Sequence, residues 1–502
     1  MAVGTKYDGA NANKTTDGIE MMSEVRVNPR TGEKEFVTKV INEDLEDVIN
    51  NKDFATQTTL ASVLTKLTEL DNKVDALSDP ERIQKVSQSG SITEANSAQI
   101  LAYQQELIDI LRNTENAWGI EWNQDSDTIT RIGDAEGLTQ ADFDDIAPWS
   151  LMRRCNLADD GTVNAYCGDP TYVEDGSNGQ VMVEIPKFFY KGYRTANGYA
   201  WLISPNKKDG YDVHPAFVRD GIEKERIYIG AYEGTLYDNS AGSYVGDGVA
   251  YDYTNDILAS VAGLQPVSGD VGHFDIEEAR QLAQNRGVGW EQQDFLTVSA
   301  IQMLFVTEYA SLDWQGSIST GITNLDSGTG NHSQNTGHTS PLGNRSGEVV
   351  ISSLENGATG ATETYACSYR GIENFFGNIW KWVDGINIQD NVPYVADNNF
   401  DSDVFVSPYE NLGVTLAQEN GYTSDIAMNS NFDFGFLTTE VAGSSSTRLH
   451  DYYYQNSGNR VALLGGAWSN GSHAGGFCWY LAYSLAHSYR YVGSRLLHVP
   501  QN

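Results

Sequence analysis

The chain has 502 residues, 40% hydrophobic and 11% aromatic, which excludes wholesale disorder and is too much for one core. Its 68 acidic and 32 basic residues give a net charge of −36, which excludes a cationic nucleic-acid footprint. Four cysteines exclude a disulfide scaffold, and no run of about 18 apolar residues exists to insert into a membrane.

Residues 1–52 are polar, with a short apolar pattern at Val37, Val40, Ile41, Leu45 and Val48. They read as an attachment segment that becomes ordered on a partner. Met1-Ala-Val-Gly-Thr5 carries no apolar export signal. Residues 53–115 hold the cleanest periodicity. Leu60, Val63, Leu67, Leu70, Val74 and Leu77 alternate spacings of three and four, an aliphatic a/d seam that predicts a coiled-coil stalk. Asp79-Pro80 interrupts it, Ser91-Ile-Thr-Glu94 supplies a capping box, and Ile100, Tyr103, Leu107 and Ile110 continue a second helix. Such a seam must meet something, so a homo-oligomer is expected, taken as a trimer although the heptads alone do not fix the number.

From residue 116 the texture changes to strands. Gly119–Trp122 and Thr128–Ile132 predict a hairpin, and Val181, Val183 and Ile185 a half-buried strand. Phe188–Tyr190 and Tyr199–Ile203 flank Ala196-Asn-Gly198, a hairpin signal, and Ile227–Tyr232 is a further strand. Two helices follow, one from Asp275 to Gly287 and one from about Thr297, with Val298, Ile301, Leu304, Phe305 and Tyr309 as core. Residues 316–360 and 384–460 read as loop-rich spans around a strand at Asn378–Val383. The predicted class is α+β: a helical stalk, then strands, two helices and strands.

No metal spacing stands out. Cys155 and Cys167 are expected as free thiols, and His332 and His338 as members of a solvated loop. Asp397-Asn-Asn-Phe-Asp401-Ser-Asp403 offers hard-cation donors but lacks the spacing of a known calcium loop, so Ca²⁺ is the one candidate where no cofactor is expected.

The chain closes on Leu463-Leu-Gly-Gly-Ala-Trp468, a stretch rich in Ser, Asn, His, Tyr and Trp, and Val492-Gly-Ser-Arg495. Tyr and Trp give contact area at low entropy cost, and Ser and Asn give adaptable hydrogen bonds, as on paratopes. Ser469, Asn470, Ser472, His473, Trp479, Tyr480, Tyr483, Ser484, His487, Tyr489, Arg490 and Tyr491 are therefore predicted as a receptor-binding patch. Phe477 and Leu481 are assigned to the core beneath it. Trp380, Trp382, Gly465, Gly466, Trp468, Gly493 and Arg495 are predicted as scaffold.

The order of motifs resembles a known family. Gly377-Asn-Ile-Trp-Lys-Trp-Val383 is similar to the Gly-Asn-Val-Trp-Glu-Trp-Val of formylglycine-generating-enzyme-type domains, a branch of the C-type lectin fold. Gly465-Gly-Ala-Trp468 resembles its Arg-Gly-Gly-Ser-Trp, with Leu464 where Arg is usual, and Gly493-Ser-Arg495 its closing Gly-Phe-Arg. Val181-Met-Val-Glu-Ile-Pro186 and Ala231-Tyr-Glu233-Gly resemble its opening strands, and the matches span about 180 to 499. The resemblance implies a C-type-lectin-like domain with long insertions over 116–502, and within that fold a phage or prophage tail-tip protein. It would reside in the virion tail, made in the bacterial host cytoplasm. Its N-terminus would hold other tail proteins and its C-terminal segment a host cell-surface glycan or protein. In the diversified relatives a retroelement varies the residues between the two anchors, here Ser469 to Val492. Catalysis in that fold needs two late cysteines. Here only Cys478 lies near the C-terminal end and Cys367 is distant, so a binder is expected and not an enzyme, with a structural tail or baseplate component as the alternative.

Overall fold

In a computed structural model, the described residues are 13–14, 20–27, 34–40 and 116–501 except 327 and 362. The chain divides into two units, 1–107 and 108–502. In the first, Asn13–Lys14, Glu20–Val27 and Lys34–Val40 pair antiparallel into a three-stranded sheet, with Met21 opposite Val40 and Val27 opposite Lys34. The predicted stalk over 53–115, and the trimer expected from it, lie outside the described residues.

The α+β expectation is corrected. Among the described residues strands predominate, and the α-helices are three: α1 (Ile276–Gln284), α2 (Phe295–Tyr309) and the single turn α3 (Trp314–Ser317). The spans read as loops, 316–360 and 384–460, contribute short strands such as Gly347–Val350, Gly421–Tyr422, Thr438–Glu440 and Tyr452–Gln455. Strands of two to four residues are too short to print a period-2 pattern on a Gly/Ser/Asn-rich background.

The three largest sheets of the second unit frame it, beside smaller sheets of two and three strands. A five-stranded antiparallel sheet runs in the order Asp212–Val213, Phe189–Arg194, Gly198–Ser204, Trp118–Asn123, Thr128–Gly133. It contains both predicted hairpins. A six-stranded antiparallel sheet runs Trp290–Gln292, Leu496–His498, Arg226–Gly230, Gln180–Pro186, Arg153–Leu157, Val163–Tyr166. The half-buried reading of Val181–Ile185 is also corrected. That strand is central and both of its faces are covered, so Met182 and Glu184 are buried too. The third sheet centres on Trp380–Gln389, flanked by Val392–Val395 and Asn459–Leu464, and continues through Trp479–Leu481 and Tyr452–Gln455 to Gly421–Tyr422.

The helices start where their caps dictate. The Asp275 side chain accepts from the Glu277 and Glu278 amides to open α1, and the Asp294 side chain accepts from the Thr297 amide to open α2. Every residue of α2 from Phe295 to Glu308 is buried, since the sheets and the 430s loop enclose it. All four cysteines are free thiols.

Candidate functional site: an aromatic row over a buried tryptophan floor

Strand pairing sets the site. Tyr452–Gln455 runs parallel to Trp479–Leu481, with Tyr454 opposite Tyr480, and Gly421–Tyr422 is antiparallel to the other edge of Tyr452–Gln455, with Tyr422 opposite Tyr452. Side chains of paired residues share a face of the sheet. Tyr422, Tyr452, Tyr454 and Tyr480 therefore come together although they span residues 422 to 480. Tyr453, on the opposite face, is fully buried.

The loop after Leu481 prolongs this set. Tyr454 stacks on Tyr480 at 4.8 Å between centroids, Tyr480 on Tyr483 at 4.3 Å, and Tyr483 on His487 at 3.3 Å with the rings 10° from parallel. His487 lies 6.2 Å from Tyr489, and Tyr489 lies 4.5 Å from Tyr491. On the other side His473 stacks on Tyr452 at 4.1 Å and meets Tyr422 edge-on. Hydrogen bonds lock the row: Tyr454 Oη with His473 Nδ1 at 2.8 Å, and Tyr483 Oη with Tyr491 Oη at 2.8 Å. The loop backbone is tied down by amide bonds from Val461 to the Tyr483 carbonyl, Trp380 to Tyr491 and Gly269 to Tyr489.

Beneath the row lie Trp380 and Trp382, both buried and on one face of their strand. Trp380 meets Tyr454 and Tyr480 edge-on, and Trp382 meets His487 likewise. Lys381, between them, points to the opposite side. There it is wholly buried and pairs with Glu233 at 3.1 Å. Glu233 also accepts from Asn378 at 2.6 Å and from Asn374 at 3.3 Å. Burial lowers the Lys381 ammonium to about 8, against the pull of Glu233. Arg495 is buried alongside and donates to the carbonyls of Gly230, Ala231, Glu373 and Asn374.

The anchoring glycines hold special geometry. Gly465 and Gly466 have φ of 99° and 83°, and a Cβ on Gly466 would meet the Ala474 Cβ at 2.7 Å. A Cβ on Gly493 would sit 2.8 Å from the Val267 carbonyl oxygen. Trp468 is buried and carries the Arg490 guanidinium over its ring at 5.8 Å.

Of the predicted patch, Ser469, Ser472, Ser484 and Tyr489 are exposed, with Tyr489 at 43%. Asn470, His473, Tyr480, Tyr483, His487, Arg490 and Tyr491 are half-buried. The Asn470 side chain accepts from the Ala467 amide at 2.8 Å and so shapes the turn after Trp468. Arg490 donates to the Gly330 carbonyl. Trp479 is corrected: it is fully buried, stands 5.7 Å from Phe295, and its indole N–H donates to the Phe436 carbonyl at 2.9 Å. It alternates with Tyr480 on a strand, so one of the two had to face inward. Phe477 and Leu481 are buried as assigned. Burial lowers the His473 and His487 imidazoles below their ordinary value and raises the Tyr483 and Tyr491 phenols, which disfavours the charged form of each of these four groups.

Tyr422, Tyr452 and Tyr454 were missed because they fall in a span read as loop. The signal was Asp451-Tyr-Tyr-Tyr-Gln455, a β-prone run whose first and third tyrosines share a face.

His332 Nδ1 bonds the Asn356 carbonyl and His338 Nε2 lies 3.3 Å from Glu355 Oε2; both rings are half-buried, so the loop is packed, against the expectation of a solvated one. In the acidic cluster, Asp397 accepts from the Asp220 amide and Asp401 from the Asp403 amide. Among the described residues no three His, Cys, Asp or Glu side chains converge as metal ligands do.

No protein-family model matches the sequence, and no curated protein matches it. Among solved structures the chain is similar to the Major Tropism Determinant P3c and U1 variants, at 14% and 13% identity, each with a TM-score of 0.25. Each similarity covers 69% of this chain and 71% of the other. Likeness that distant assigns neither fold nor function.

Proposed function

We propose that this chain is a phage tail adhesin that binds a host cell-surface receptor through the aromatic row and the exposed serines around it. The observation that carries the reading is the row itself. Rings from Tyr422 to Tyr491 form one connected, partly exposed surface held by stacking and by two side-chain hydrogen bonds. A rigid surface of this kind loses little entropy on binding. Interior packing alone does not call for so many partly exposed tyrosines, which a solvated face would not otherwise carry.

Residues 469–492 hang between fixed anchors, Gly465–Trp468 and Gly493–Arg495. That arrangement suits a segment varied by a retroelement while its frame is kept. Residues 1–52 are read as the virion attachment segment.

The chain works by binding and not by catalysis in this reading. Cys367 and Cys478 are both buried; burial pushes the Cys367 thiol up to about 12 and raises that of Cys478, which disfavours the thiolates that cysteine chemistry needs. The reading calls for no cofactor.

Two measurements test it. Fluorescently labelled protein should decorate a subset of cells in a mixed bacterial population, and Tyr489→Ala with Ser484→Ala should remove that decoration. Undiminished decoration by the double variant would overturn the reading. A near-identical copy of the coding region for 469–492 beside a reverse transcriptase gene would establish diversification.

A further inference from the structure

The row is wider than the C-terminal segment, and its rings are used in a particular way. Tyr480, Tyr483 and His487 stack on one another, so their inner faces are covered by neighbours. On the far side His473 lies flat on Tyr452. These faces cannot stack on a ligand, nor can the rings swing out to fill a pocket in a protein partner as interface anchors do. What they leave is ring edges and phenol hydroxyls, beside the exposed hydroxyls of Ser472 and Ser484. Each hydroxyl both donates and accepts. Open ring area is concentrated at one end, on Tyr489.

Charge points the same way. In a chain with 68 acidic residues, no Asp or Glu occurs from Tyr452 to Asn502. The strands and loop that form most of the row thus contribute no carboxylate to it. Tyr422 is joined to the segment directly, through its hydroxyl and Ser472 Oγ at 3.3 Å and through its ring on His473.

We propose that the ligand is a glycan chain, laid along the row from Tyr422 to Tyr489. Its hydroxyls bond the phenol and serine hydroxyls, and one sugar face packs on Tyr489. Tyr422, Tyr452 and Tyr454, which lie outside the 469–492 segment, form one end of the contact and set specificity together with it. This rests on the adhesin reading above.

The test uses the full chain on an array of purified bacterial envelope polysaccharides: lipopolysaccharide O-chains, capsules and wall teichoic acids. A parallel array carries bacterial surface proteins. Expected are retained polysaccharide spots that periodate oxidation abolishes, and a loss of about tenfold or more in apparent affinity for each of Tyr422→Ala and Tyr452→Ala. Tyr454→Phe keeps the ring but loses the bond to His473, and should also weaken binding with the melting temperature unchanged within a degree or two. Binding to protein spots alone, or to no polysaccharide, overturns the glycan assignment. If Tyr489→Ala abolishes cell binding while Tyr422→Ala and Tyr452→Ala leave it intact, the wider surface falls and the adhesin reading stands. If none of these variants affects binding to cells, both fall.

Discussion

Tyr454 and Tyr480 are direct partners across a parallel strand pair, and their rings stack at 4.8 Å and 27° over the edge of Trp380. The pairing joins an internal strand to the C-terminal segment, so the aromatic row is a product of sheet register and not of one flexible loop. A one-residue slip of Tyr452–Gln455 would turn Tyr454 into the core and bring Tyr453 to the surface.

The stack should be measurable as a coupling. In a double-mutant cycle with Tyr454→Ala and Tyr480→Ala, chemical denaturation should give an interaction energy of about 0.5–1.5 kcal/mol. Additive single effects would mean that the rings are neighbours without mutual stabilisation.

Trp479 and Tyr489 should behave as opposites. Trp479→Ala empties a buried site against Phe295 and strands the Phe436 carbonyl, and should cost about 3–5 kcal/mol of stability. Tyr489→Ala, at an exposed position, should change stability by about 0.5 kcal/mol or less while removing cell binding. Denaturant midpoints together with a cell-binding assay separate the two.

The buried pair under the row gives a third expectation. Lys381→Met leaves the Glu233 carboxylate buried with only Asn374 and Asn378 to donate to it, and should destabilise by about 3–5 kcal/mol. Lys381→Met with Glu233→Gln removes the stranded charge and should recover a substantial part of that loss. A double variant no more stable than the single one would show that lost packing, and not the unpaired carboxylate, sets the cost.

What could be read from the sequence follows from length of pattern. Both hairpins, the α1 cap and the Trp380/Trp382 face were legible because each spans several residues of one period or carries a specific cap or turn residue, whereas α2 was read from its apolar period alone and its cap Asp294 was missed. The anchors Gly465, Gly466 and Gly493 were legible because only glycine fits where φ is left-handed or a backbone oxygen lies within a Cβ contact. The row was half legible. Its C-terminal members were visible as composition. Tyr422 and Tyr452 reach it through strands of two and four residues, and register between strands that short is a tertiary property. Trp479 was misplaced because composition does not say which of two alternating aromatics faces inward. Lys381 was legible only as the residue between two tryptophans, and its burial depends on Glu233, 148 positions upstream.

Acid should destabilise the fold through His214. Its ring is fully buried among Phe188, Tyr190, Phe217 and Phe434, and Nδ1 accepts from the Ala216 amide, so the neutral form is held. Burial depresses the imidazole from 6.5 to about 3, and His498 moves the same way to about 4. A depressed histidine binds fewer protons in the folded than in the unfolded state between the two values. Its contribution is therefore fully present above about pH 6.5 and is lost as the pH falls toward 3. At 1.36 kcal/mol per unit, the loss from His214 between pH 6.5 and pH 5 is about 2 kcal/mol. Carboxyls such as the half-buried Glu291, raised to about 7, act in the opposite sense, so the raw pH profile mixes both. The difference between wild type and His214→Gln isolates the histidine. The stability gap between them should narrow steadily from pH 7 to pH 4.5 in urea titrations. A gap independent of pH would show that His214 titrates alike in the folded and unfolded chain and is not held neutral by burial.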